Sequence, residues 1–108
     1  MSQQYLTELT QSLNKLKPYK AILFGSYAEG TIHEDSDIDL IIVLNKDSIS
    51  TSFGERMSNY SYVKNYLRAL NKKVPIDLIV YTKAEWFKLL ESNNSFCKEI
   101  LQKGVSLI

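Results

Sequence analysis

At 108 residues and 44% hydrophobic composition the chain is long enough for one globular core and too short for two ordinary domains. Thirteen basic and twelve acidic residues leave a formal net charge of +1, spread without a concentrated positive stretch, so the charge pattern gives no signal for sequence-independent nucleic-acid binding. The longest apolar run, Leu40 to Leu44, falls far short of the roughly 18–20 residues of a membrane span, and the lone Cys97 and polar N-terminus point to a reducing, cytoplasmic setting without a secretory leader.

From Ser2, Leu6, Leu9, Leu13 and Leu16 recur at helical spacing, which predicts an amphipathic helix ending before Pro18. Lys20 to Phe24 is short, apolar and bounded by Pro18 and Gly25, as a buried strand is. A Gly25-Ser26 turn follows; if a short helix begins at Tyr27, its N-terminus adds a favourable dipole for anions and Gly30 lets the segment turn back towards the second strand. Asp37 to Val43 begins with alternating acid and apolar residues and continues wholly apolar, which predicts a strand entering the core from an exposed end.

Residues 45–54, rich in Ser, Asp and Asn, are expected to form a mobile loop. Met57, Tyr60, Val63, Leu67 and Leu70 form a second helical stripe to about Asn71, and Val74 to Tyr81 reads as a third strand. Thr82 is expected to cap a helix through Trp86, Leu89 and Leu90, with Glu85 completing a capping box. A last helix, Ser95 to Lys103, is expected to stop at Gly104 in the left-handed conformation. The predicted order is helix, strand, strand, helix, strand, helix, helix: one small α/β (α+β) domain over residues 1–108, with a mixed sheet flanked by helices.

Strand side chains alternate, so Asp37 and Asp39 project from one face with Ile38 turned away. Two close carboxylates repel unless a proton or cation lies between them, and oxygen ligands without nearby His or Cys favour Mg²⁺ or Mn²⁺. Asp77 sits in the apolar run Ile76 to Val80, where an unpaired charge is costly. If its strand lies beside that of Asp39, a third metal ligand joins the pair. Three carboxylates can hold two metal ions about 3.5–4 Å apart, the arrangement suited to in-line phosphoryl displacement. Gly25 allows close backbone approach and Ser26 adds a hydroxyl, a fit for phosphate oxygens.

Gly25-Ser26-Tyr27-Ala28-Glu29-Gly30, followed by Ser36-Asp37-Ile38-Asp39-Leu40, resembles the signature of the DNA polymerase β-like nucleotidyltransferase superfamily, particularly its minimal members. The likeness is close over residues 20–44, and Asp77 resembles the family's third, more distant carboxylate. The resemblance implies a polymerase β-like nucleotidyltransferase fold. It also implies catalytic and metal-binding roles for Asp37, Asp39 and Asp77, nucleotide binding at Gly25 and Ser26, and ATP as substrate with Mg²⁺ or Mn²⁺. Minimal members commonly pair with a small helical HEPN-type protein as an antitoxin that modifies its toxin with AMP, which implies such a partner and a homo- or hetero-oligomer. Where many relatives carry a basic residue before the second glycine this chain has Glu29, and the alternative reading it favours is a nucleotide-binding or protein-interaction module that neutralises a helical partner without turnover.

Simpler readings compete. Asp35, Asp37 and Asp39 open like a calcium loop, but Leu40 and Lys46 stand where Gly and Glu are required. Thr31-Ile32 occupies the place of the P-loop Lys and Ser/Thr. Asp37 and Asp39 could be strand-end acids paired with lysines such as Lys20, and Ser26 a turn former. His33 lacks companions for a metal site; Cys97, Tyr60, Tyr62 and Tyr66 read as packing or surface residues, and Trp86, Phe87 and Phe96 as buried side chains or an apolar docking surface.

Overall fold

The computed structural model describes residues 2–25 and 37–108. Helix α1 (Ser2–Leu16) leads into β1 (Lys20–Phe24), and β2 (Ile38–Leu44) leads into α2 (Phe53–Tyr66). A short helix α3 (Arg68–Asn71), β3 (Ile76–Thr82), α4 (Lys83–Ser92), α5 (Ser95–Lys103) and β4 (Val105–Ser106) complete the order. The sheet runs β3-β2-β1-β4, with β2 parallel to β3 and β1 antiparallel to both β2 and β4. This is the mixed sheet flanked by helices that the sequence predicts.

Strand alternation divides the apolar residues between two layers. Ala21, Leu23, Leu40, Ile42 and Leu78 face Leu9 and Leu13 of α1, Val63 of α2 and Leu70 of α3. On the opposite face Ile22, Ile41 and Val43 pack with Trp86 of α4 and Ile100 of α5. Strand β2 is therefore covered on both sides, which accounts for its continuous apolar run. Each fully buried Leu, Ile or Val contributes about 1.5–3 kcal/mol of transfer free energy, and β2 places Ile38, Leu40, Ile41, Ile42 and Val43 in that class.

Helix ends follow local chemistry. Ser52 caps α2 by accepting from Glu55 N–H at 3.1 Å. The expected capping box is present at α4: Glu85 N–H donates to Thr82 Oγ1 (3.2 Å), and Thr82 N–H to Glu85 Oε1 (2.8 Å). The second helical stripe is not one helix, because the chain breaks at Leu67 (φ −103°, ψ 4°) and resumes as α3. Leu67 and Leu70 stay in the core across the break.

Two expectations are corrected. Gly104 is extended (φ −69°, ψ 148°), and the left-handed residue is Asn93 (φ 50°), between α4 and α5. Gly104 is needed for space: a Cβ there would lie 2.5 Å from the Ile100 carbonyl oxygen and 2.7 Å from Ile22 Cγ2. The loop expected to be mobile is tied down. Ser50 is buried, its N–H donates to Glu85 Oε2 (2.9 Å) and its hydroxyl accepts from Asn59 Nδ2 (3.2 Å). Lys46 Nζ donates to Asn59 Oδ1 at 2.7 Å, and Lys46 carbonyl accepts from Lys83 N–H at 3.0 Å.

Candidate active site

One end of the sheet gathers the predicted residues because of strand direction. Strands β2 and β3 run parallel and start there, while antiparallel β1 ends there. Asp39 is in register with Asp77 on one side and with Phe24 on the other. Partners in register share a face, so the two carboxylates stand side by side on the face that carries α4 and α5, beyond Ile41 and Ile79. Asp37 precedes β2 by one residue and is exposed.

The Asp39 carboxyl titrates above the ordinary carboxylate range. Burial is the largest cause, followed by the negative charges of Asp77 and Asp37 and a hydrogen bond with Asp77. Like charges thus stand side by side at this corner, an arrangement that a bound cation would relieve. The alternative of lysine-neutralised strand ends finds no support among the described residues. Their salt bridges join Lys73 to Glu8, Lys83 to Asp47 and Lys103 to Glu99, and Lys20 lies over the Tyr19 ring.

Gly25 completes this corner in two ways. Its φ of +70° is strained for residues with a side chain, and a Cβ there would come within 2.1 Å of Asp39 Oδ2. The turn backbone thus occupies the space next to the carboxylate. Ser26, the other predicted phosphate contact, lies outside the described residues, as do Tyr27, Glu29, Gly30 and His33.

Donor chemistry decides whether a metal fits. Asp39 and Asp77 offer adjacent oxygen donors, and Asp37 adds its field from two residues away, a set suited to a hard divalent cation. Among the described residues, no three His, Cys, Asp or Glu side chains are already gathered as a ligand group. Open coordination is what a cation shared with phosphate oxygens requires.

Sequence reasoning missed a pocket of about 130 Å³ beside Gly25, lined by Phe24, Phe96, Glu99, Ile100 and Lys103. Phe24 and Phe96 meet edge to face at 6.4 Å. The available signal was Phe24 adjoining Gly25, but its pairing with α5, some seventy residues away, leaves no local trace. Trp86 is buried, Phe87 exposed and Cys97 buried as a free thiol, so these carry packing or surface roles.

Comparison with known proteins places this corner in context. A comparison with curated protein sequences returns no match. Among solved structures, a chain of a toxin–antitoxin crystallised with AMP-PNP is 22% identical with a TM-score of 0.57, covering 95% of this chain and 72% of that one. A protein from Sulfolobus solfataricus described as a nucleotidyltransferase is 17% identical with a TM-score of 0.61, covering 97% of this chain and 80% of its own. A chain of the Shewanella oneidensis complex of tri-AMPylated HEPN toxin with MNT antitoxin is 18% identical with a TM-score of 0.53, covering 100% and 72%. At these identities the likeness establishes the fold. The model of the nucleotidyltransferase domain family matches residues 5–107, nearly the whole chain, and the protein belongs to that family.

Proposed function

We propose that this protein transfers AMP from ATP to a hydroxyl of a small helical HEPN-type partner, acting as the antitoxin of a toxin–antitoxin pair in the cytoplasm. The observation that carries the reading is the pairing of Asp39 with Asp77 in register, with Gly25 packed against Asp39. The relative crystallised with AMP-PNP and the relative whose HEPN toxin is tri-AMPylated support the choice of nucleotide and partner. No helix among the described residues is long and apolar enough to cross a membrane.

In this reading Asp37, Asp39 and Asp77 hold Mg²⁺ or Mn²⁺, which supplies Lewis-acid stabilisation of charge on the phosphate oxygens. The Gly25 and Ser26 backbone cradles the phosphates, where a side chain at position 25 would block close approach. The Phe24–Phe96 pocket beside the turn receives the nucleoside end. The Asp77 carboxylate accepts the proton of the acceptor hydroxyl, whose oxygen bonds to the α-phosphorus as the bond to pyrophosphate breaks.

The test is incubation of the protein with α-labelled ATP, Mg²⁺ and a co-expressed HEPN-type partner. Label should pass to the partner, and Asp39→Asn and Asp77→Asn should each abolish it. Equal labelling by those variants, or none by the native chain, would overturn the assignment.

A further inference from the structure

Strand β3, which carries Asp77, forms an edge of the sheet, and its hydrogen-bond parity shows how much of that edge is open. Ile38 N–H donates to the Pro75 carbonyl at 2.9 Å. In a parallel ladder alternate residues address the same neighbour, so 75, 77, 79 and 81 turn their backbone groups towards β2, and 76, 78, 80 and 82 turn outwards. Both ends of the outward row are occupied: Ile76 N–H donates to Asn71 Oδ1 (3.0 Å) and Thr82 N–H to Glu85 Oε1 (2.8 Å). Between these two stoppers remain the N–H and C=O of Leu78 and Val80.

A groove of about 630 Å³ opens beside the Val80 end of this edge, lined by Val80 and Tyr81 of β3, Met57 and Tyr60 of α2 and Leu89 of α4. Two cations, Arg56 and Lys88, stand one on each wall. The salt bridges and side-chain hydrogen bonds among the described residues use neither of them. Glu85, the groove's acid, is engaged by Ser50 and Thr82. Paired backbone donors and acceptors at strand spacing call for another extended backbone, and unengaged cations on both walls call for an acidic side chain.

We propose that the β3 edge binds an extended, acidic peptide segment of a partner protein by β-strand addition, pairing with Leu78 and Val80 and placing a carboxylate between Arg56 and Lys88. The surface lies on the outer edge of the strand that carries Asp77 and functions without nucleotide. Its short register, closed by Asn71 and Glu85, limits the paired stretch to a few residues and selects against long strands.

Selection of a random heptapeptide library displayed on phage against the full chain, without nucleotide, tests this directly. Enriched peptides should alternate β-branched or aromatic residues and carry Asp or Glu. Because the Val80 N–H points away from β2, Val80→Pro removes an edge donor and leaves the β2 ladder paired. Synthetic copies of the selected peptides should bind Val80→Pro and the Arg56→Glu/Lys88→Glu double variant about tenfold or more weaker than the native chain. N-methylation of alternate peptide amides, which alters no protein residue, should also abolish binding, and bound peptide should slow amide exchange at Leu78 and Val80. Peptides that ignore N-methylation, that protect amides elsewhere, or that fail to emerge from the selection would overturn the proposal. So would concentration-dependent dimerisation through β3 that Val80→Pro abolishes, since a second copy would then occupy the edge.

Discussion

Gly25 and Asp39 share one small volume, and each constrains the other. An alanine at position 25 must adopt φ near +70° and push the Asp39 carboxylate from a contact of 2.1 Å. The conformational term alone costs about 1–2 kcal/mol. Displacement of a catalytic group by about 1 Å lowers rate on the order of a hundredfold, so Gly25→Ala should lose both thermal stability and most nucleotidyl transfer, read by Tm and by label transfer. Asp39→Asn should separate these effects. It keeps the shape, removes the repulsion from Asp77 and Asp37, and should raise Tm in metal-free buffer at neutral pH while abolishing transfer. The sign follows from linkage: the folded-state pKa of Asp39 lies above its ordinary 3.8, so the folded chain holds the proton longer than the unfolded chain. Its destabilising contribution is absent below about 3.8 and sets in as pH rises through the folded value. The gain from Asp39→Asn should therefore shrink on acidification, and Mg²⁺ should raise native Tm at pH 7 but not that of the variant.

At the scale of elements, Glu85 joins three segments: it caps α4, closes one end of the β3 edge and anchors the loop at Ser50. Burial works against its charge, but the hydrogen bonds from Thr82 and Ser50 outweigh burial and hold its carboxyl below the ordinary range. Glu85→Gln should lower stability by about 1–3 kcal/mol at neutral pH, as expected for hydrogen bonds to a charged group. Because the folded pKa is depressed, that contribution is complete above the ordinary 4.5 and fades as pH falls through the lowered folded value, so native and variant denaturation midpoints should converge on acidification.

Elements with their own periodicity were legible in the sequence: α1, β1, the Thr82 capping box and α5. Elements set by distant partners were not. Strand β4 has two residues and exists because the β1 edge pairs with it. The anchored loop looked mobile from its composition, which does not reveal that Lys46 Nζ and the Ser50 hydroxyl bond Asn59 or that the Ser50 N–H donates to Glu85. The break at Leu67 is hidden because its apolar spacing continues through it. At the site, Asp37, Asp39 and Asp77 were recognisable as a set, but the register that pairs two of them and leaves the third outside the strand is a property of the sheet.

For the molecule as a whole, both core layers grip the same strand, β2. Neither layer can separate without exposing a face of that strand, so unfolding should be a single cooperative transition. Trp86, the sole tryptophan, is buried in one layer and reports on it alone, whereas far-UV circular dichroism is dominated by helices on both faces. Denaturation followed by the two signals should give one coincident midpoint; separated midpoints would show that the layers unfold independently.

With Asp39 and Asp77 as the transfer site proposed above, their in-register pairing also makes chemistry a proofreader of folding. Strand side chains alternate, so a slip of β3 by a single residue would turn Asp77 towards the opposite layer and set Asp39 against an apolar neighbour. A chain folded out of register would carry every residue of the site and assemble none of it. Activity per molecule therefore counts correctly folded chains, and a preparation's specific activity measures the fidelity of its sheet.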